Sequence, residues 1–299
     1  MKSTPFLLVC SLFVIGNGTK STTPPVKPIV CRAYDRLPLS CSEYDNCKYQ
    51  SNKCIFSAIP LDRVLFVGNS FTLVNNLPLV FERLAVKKNA KSYTSARGAA
   101  TFNSHWHSNE TRSLITGRNW SAVVLQEQSA FLSDIPQNYI PRSIVYSKQL
   151  YNLAANHTLR VNLFETWGYK NGNPNSQTGL DDNYNKMQVR LREGYETTRA
   201  ALVLKKLQQK LNTSATVVYV GEAWRVAMTK GYKLHQNDEI HPTPHGTYLA
   251  ACVFYATLYS ESPVGLSYTI KGVSRQHARA LQRIAWNTIS LLRNQQQCQ

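Results

Sequence analysis

The chain changes texture at residue 63. Residues 63–67 run Arg-Val-Leu-Phe-Val, the β-branched and aromatic composition of a strand buried on both faces of a parallel sheet. Similar runs recur at 91–94, 122–126, 159–164 and 216–220. Between them, apolar residues return at helical spacing over 78–88, 101–116, 139–155 and 184–210. The last of these is long for a globular protein, and Gly194 is a plausible break in it. Farther on, Thr243 suits an N-cap with Pro244 at the first helical position, opening a helix to about residue 259. Its stretch 248–255 is apolar nearly all round, so it should be buried. A final helix spans about 274–293, and 168–182, rich in Asn and Gly, reads as a long loop. Strand and helix in alternation predict an α/β fold, a three-layer α/β/α sandwich around a roughly five-stranded parallel sheet. No internal repeat is found.

The N-terminus has a different purpose. Lys2 precedes an apolar run over 6–16 and a Gly-Asn-Gly exit, which predicts a secretory signal peptide at 1–18. The run is too short for a membrane helix, and no later run reaches that length. Residues 19–60 then form a Pro-bearing linker and a Cys-rich segment, with the main domain at 61–299. Cys31, Cys41, Cys47 and Cys54 crowd into a stretch too short to build its own core, which predicts a disulfide-stapled module in an extracellular protein. Four cysteines allow three pairings, which spacing does not distinguish. Zinc ligation is the rival, but no C-x-x-C pair is present. Cys252 falls on the apolar helix as a buried thiol, and Cys298 is left near the end. Asn109, Asn119, Asn156 and Asn212 each head an N-x-S/T sequon, open to glycosylation in a secreted chain.

In an open parallel sheet, ligands bind beyond the carboxyl ends of the strands. The first strand there runs into Gly68-Asn69-Ser70. A serine at a strand-to-helix turn exposes its hydroxyl and sets its own N–H beside a developing oxyanion. Taken alone, Ser70 is more simply a turn or cap residue. The second strand leads to Gly98, whose N–H can approach the same oxygen. The third leads to Gln126-Glu127-Gln128-Ser129, which supplies an amide donor. Near the C-terminus, Asp238 and His241 stand three apart before a helix, so the carboxylate can orient an imidazole that takes a proton from Ser70. His245 is a competing base, although it falls inside that helix.

This ordered set of Gly68-Asn69-Ser70, Gly98, Gln126-Glu127-Gln128-Ser129 and Asp238-x-x-His241 resembles the SGNH (GDSL-type) hydrolase superfamily over about 63–265. The resemblance implies a flavodoxin-like fold with Ser70 as nucleophile and first oxyanion donor. Gly98 would then be the second donor, and His241 the base oriented by Asp238. Two blocks depart from the common pattern: Asn69 replaces an Asp, and Gln128 stands for the oxyanion Asn. The implied chemistry is hydrolysis of an ester, such as an O-acetyl group on carbohydrate, through an acyl-enzyme with no metal or organic cofactor.

Other residues carry less. His105 and His107, at i and i+2, do not share a helix face and make a poor metal pair. Trp106 is a cleft candidate, as are Trp224 and Arg225 beyond the fifth strand. Trp167 and Tyr169, just past the fourth strand, are better placed to bind substrate by stacking on a sugar or packing an acyl group. Charge adds a second theme: 34 Lys and Arg face 17 Asp and Glu, a formal net charge of +17. No acidic residue follows residue 261, and Arg275, Arg279 and Arg283 share one helix face. Such a face is either simply solvated or attracts an acidic polysaccharide, a mineral-associated matrix or an anionic membrane; secretion and the lack of any recognised motif disfavour nucleic acid. Two alternatives therefore stand beside the esterase: a matrix-binding protein on the same fold, and an O-acyltransferase using Ser70.

Overall fold

The computed structural model describes residues 47–50, 53–56, 61–133, 140–174 and 182–297. The expected signal peptide at 1–18 and most of the Cys-rich segment, with Cys31 and Cys41, lie outside these residues, as do Cys298 and the pairing of the four cysteines. At the N-terminal side β1 (Cys47–Gln50) and β2 (Lys53–Phe56) form an antiparallel hairpin, with Tyr49 opposite Cys54.

The main domain opens with β3 (Arg63–Gly68), the one-turn helix α1 (Ser70–Leu73) and α2 (Leu77–Leu84). It continues through β4 (Lys91–Ala96), α3 (Phe102–Trp106), α4 (Asn109–Thr116), β5 (Ala122–Leu125) and α5 (Ser129–Leu132). Then follow α6 (Ile140–Ala155), β6 (Arg160–Glu165) and α7 (Tyr184–Gln209). The chain ends with β7 (Ser214–Tyr219), α8 (Val220–Thr229), α9 (Pro244–Tyr259) and α10 (Arg275–Gln297). The five strands are all parallel in the order β4-β3-β5-β6-β7. Helices α2, α8, α9 and α10 pack together on one side, and α3 to α7 on the other. This is the expected three-layer sandwich. The order reverses between β3 and β5, so a crevice opens beyond their carboxyl ends.

Burial follows the apolar pattern. Val64 to Val67 are buried, and Phe66 meets Phe81 and Phe254 edge-on at 5.7 and 5.2 Å between ring centroids. Gly246 to Ala256 of α9 are all buried, as an all-apolar helix requires. Cys252 lies among them as a free thiol. Among the described residues no helix is long and apolar enough to cross a membrane.

Three of the differences from the sequence reading have a local physical cause. The helix expected over 101–116 is two helices, because Ser108 caps a second start by accepting from the Thr111 N–H at 3.2 Å. The strand expected to reach residue 220 ends at Tyr219, and Val220 opens α8 directly. That apolar junction has no period of its own and reads as more strand. Helix α7 is unbroken at Gly194: a Cβ there would lie 2.4 Å from the Leu132 carbonyl oxygen, so the glycine serves close packing against α5.

Candidate active site

Ser70, Gly98 and Gln128 each follow a strand, whereas Asp238 and His241 stand on the loop between α8 and α9. Asn69 caps α1, its Oδ1 accepting from the Phe71 N–H at 3.1 Å, which sets Ser70 at the first helical position. Gly68 is required just before this turn, because a Cβ would lie 2.5 Å from Gln126 Oε1 and 2.4 Å from Thr72 Oγ1. Gln126 itself is fully buried. Its Oε1 accepts from the Asn69 N–H at 2.9 Å and from Thr72 Oγ1 at 3.0 Å, and its Nε2 donates to the Glu127 carbonyl at 2.8 Å. With every polar atom committed, Gln126 braces the turn, whereas Gln128 is partly exposed and directs Nε2 toward the Tyr169 hydroxyl at 3.4 Å.

The departure at position 69 has a local use. Asn69 Nδ2 donates to the Ala100 carbonyl at 3.2 Å, tying the Ser70 turn to the segment that carries Gly98. An aspartate has no hydrogen to give there. Gly98 is exposed, with nothing within 4 Å of where a Cβ would lie.

The structure brings Ser70, His241 and Asp238 together. Ser70 Oγ donates to His241 Nε2 at 2.9 Å, and His241 Nδ1 faces Asp238 Oδ2 at 2.6 Å. With the carboxylate on Nδ1, the neutral ring carries its proton there and leaves Nε2 as the acceptor. Asp238 Oδ1 accepts from the N–H groups of Ile240 and His241 at 3.0 and 2.9 Å. Slight burial pushes the Asp238 carboxyl up, but those two N–H bonds and the imidazole outweigh it, so its pKa lies below the usual carboxylate value.

The loop bearing Asp238 and His241 is held from two sides. Asn75, in the left-handed region at φ 55°, donates through Nδ2 to the Pro242 carbonyl at 2.9 Å and to Thr247 Oγ1 at 3.0 Å. From the segment after β6, the Lys170 N–H donates to the Glu239 carbonyl at 2.9 Å and Trp167 Nε1 to the Ile240 carbonyl at 3.0 Å. His235 Nε2 also meets the Gly168 carbonyl at 2.9 Å.

Trp167, expected to contact substrate, is instead fully buried. It stacks between Phe71 and Trp224, with centroids 4.4 and 3.9 Å apart and planes within 7° and 8° of parallel. Its place is behind the site, joining the residue after Ser70 to the residue before His241. Tyr169 is mostly buried too, but its hydroxyl reaches Gln128. Trp224 is the far plate of the same stack. His245 is not beside Ser70; its Nε2 meets His277 Nδ1 at 2.9 Å. His105 is buried, with Nε2 on the Gly68 carbonyl at 2.8 Å and Nδ1 on Thr111 Oγ1 at 3.1 Å, so it supports the end of β3. Among the described residues no group of three or more His, Cys, Asp or Glu is placed to hold a metal ion.

Two buried acids, Glu127 within the Gln126–Ser129 block and Glu165, have no role assigned by the sequence pattern. Burial pushes the Glu127 carboxyl up from 4.5 to about 7, against the N–H bonds from Gln128 and Phe102. Glu165, at the end of β6, is likewise pushed well up by burial and by the Glu222 charge. An acid that protonates more readily in the folded state stabilises the fold at low pH and loses that stabilisation as pH rises through its folded pKa. For Glu127 the window runs from about 4.5 to about 7, worth roughly 3 kcal/mol at most. Urea unfolding at pH 5 and pH 8 should therefore show the wild type losing more stability with rising pH than Glu127→Gln. Equal losses would mean that this carboxyl titrates normally.

No protein-family model matches the chain, and no curated protein matches its sequence. Solved structures do resemble it. A DUF4886-family protein from Bacteroides uniformis superposes with a TM-score of 0.62 at 18% identity, over 76% of this chain and 94% of that one. A protein from Slackia heliotrinireducens, provisionally classed as an SGNH hydrolase, superposes with a TM-score of 0.51 at 24% identity, over 66% and 98%. Likeness at these identities is likeness of fold: the chain has the three-layer α/β/α fold of the SGNH hydrolases.

Proposed function

We propose that the protein is a secreted serine esterase that removes a short acyl group through an acyl-enzyme on Ser70. The observation that carries this reading is the unbroken hydrogen-bond line Ser70 Oγ, His241 Nε2, His241 Nδ1, Asp238 Oδ2, at 2.9 and 2.6 Å, across the carboxyl edge of the sheet. As Ser70 Oγ attacks the ester carbonyl carbon, its proton passes to His241 Nε2. Asp238 stabilises the imidazolium that forms. The carbonyl oxygen, now negative, is received by the N–H groups of Ser70 and Gly98 and by the Gln128 amide. His241 returns the proton to the departing alkoxide, and water repeats the sequence in reverse to release the acid.

A short acyl group fits best. The aromatic rings beside the nucleophile, Phe71 and Trp167, are spent on stacking against each other, so they offer no deep apolar channel. An O-acetylated carbohydrate is such a substrate, with the Tyr169 hydroxyl beside Gln128 as a polar contact. A fluorophosphonate serine probe should label the wild type and spare Ser70→Ala; labelling of both proteins would remove Ser70 from the mechanism.

A second reading concerns where the enzyme works. Arg275, Arg279 and Arg283 are exposed on α10, with Lys271 exposed just before it. None of them pairs with a carboxylate among the described residues, which favours an acidic polysaccharide as carrier or anchor. Retention on a heparin-like resin should fall to lower salt when the three arginines become glutamine. Unchanged elution would leave this face merely solvated.

A further inference from the structure

Glu127 is 1% exposed, yet it carries a carboxyl group two residues beyond the end of β5. One oxygen, Oε1, accepts from the Phe102 N–H at 3.0 Å and from the Gln128 N–H at 2.8 Å. Those two donors belong to different loops. Phe102 opens α3, four residues beyond Gly98, and Gln128 is the partly exposed amide of the loop after β5. Sheet pairing does not fix these loops relative to each other, because β4 and β5 lie on opposite sides of β3 and never touch. The nucleophile turn reaches the first loop through Asn69 Nδ2 on Ala100, and the second through the Gln126 contacts. The Glu127 oxygen closes the triangle.

On its other side Glu127 borders a small cavity shared with Arg142, Ser143 and Tyr146.

We propose that Glu127 is a positioning residue for the oxyanion-binding groups, its single oxygen fixing the spacing between the loop that carries Gly98 and the loop that carries Gln128. The role rests on the hydrolase reading above, and it acts through the two loops, without contact to substrate. What matters is an acceptor atom at that point in space. A glutamine can place an amide oxygen there, whereas an aspartate, one methylene shorter, keeps the charge and withdraws the oxygen.

The test compares Glu127→Gln, Glu127→Asp and Glu127→Ala on a short acyl ester, with Ser70→Ala as the blank. Glu127→Gln should stay within about 10-fold of the wild-type kcat. Glu127→Asp and Glu127→Ala should fall by roughly 10²–10³-fold, the effect of losing an oxyanion donor, with KM nearly unchanged. If Asp outperforms Gln, the charge and not the position is what counts, and the proposal fails. Equal kcat in all variants, or a rise in KM that accounts for the loss, overturns it as well. Should Glu127→Ala not fold, the Gln-to-Asp order still decides.

Amide hydrogen exchange supplies a readout independent of activity. Segments 98–102 and 126–129 should exchange faster together in Glu127→Asp, with 235–241 unchanged. If the wild type hydrolyses no ester, the esterase reading falls while exchange still tests the tie; if exchange is unchanged in an active enzyme, the tie alone is refuted.

Discussion

Replacing Ser70 with alanine should abolish turnover of short acyl esters, lowering kcat by roughly 10⁴–10⁶-fold. The loss is large because the hydroxyl is the only group in the line that forms a bond to substrate; His241 and Asp238 act through it. Ser70 is partly exposed and its Oγ donates a single hydrogen bond, so its removal leaves the core intact. A thermal melt should place the variant within a few degrees of the wild type, which separates lost chemistry from lost fold. His241→Ala should lose nearly as much, and the double variant little more, because groups that act as one unit are not additive. Turnover that survives in Ser70→Ala would remove this line of residues from the reaction, leaving the matrix-binding alternative on the same fold.

The second large effect is on stability. Trp167→Ala should cost roughly 3–5 kcal/mol, the usual range for emptying a fully buried large aromatic site. The ring is the middle plate of a three-ring stack, so both Phe71 and Trp224 lose a packed face. Activity should fall further than stability predicts, because the same side chain holds the Ile240 carbonyl beside His241. Trp167→Phe separates the two contributions. It keeps an aromatic plate but has no N–H, so it should cost about 1–2 kcal/mol from the unpaired carbonyl and the smaller ring. Its kcat should drop by about 10- to 100-fold if the hydrogen bond positions the His241 loop. Urea unfolding and steady-state kinetics on both variants measure this, and a Trp167→Phe enzyme with full kcat would reduce Trp167 to simple packing.

The two predictions concern residues that the sequence treats very differently. Ser70, Gly98, Gln128, Asp238 and His241 stand at chain positions where turn chemistry can be recognised: glycine or a capping residue after an apolar run, or Pro after His. Singly each is an ordinary turn residue; their roles are legible in the ordered set and in the family resemblance that it carries. The strands were legible for a local reason, since a run such as Arg63–Gly68 has one composition whatever surrounds it. Boundaries were harder at Val220, where a buried strand passes into a buried helix and both are apolar.

What the one-dimensional pattern determined, then, is the alternation of elements, the parallel sheet it demands, and the residue types waiting at the carboxyl ends of its strands. Tertiary structure alone decided which of those residues meet. Ser70 and His241 are 171 positions apart, and they touch because the strand order reverses between β3 and β5 while Trp167 and Asn75 draw the last loop across. It also turned Trp167 inward and buried Glu127 between two loops, since burial depends on what the rest of the chain packs against a side chain, and no local period encodes that.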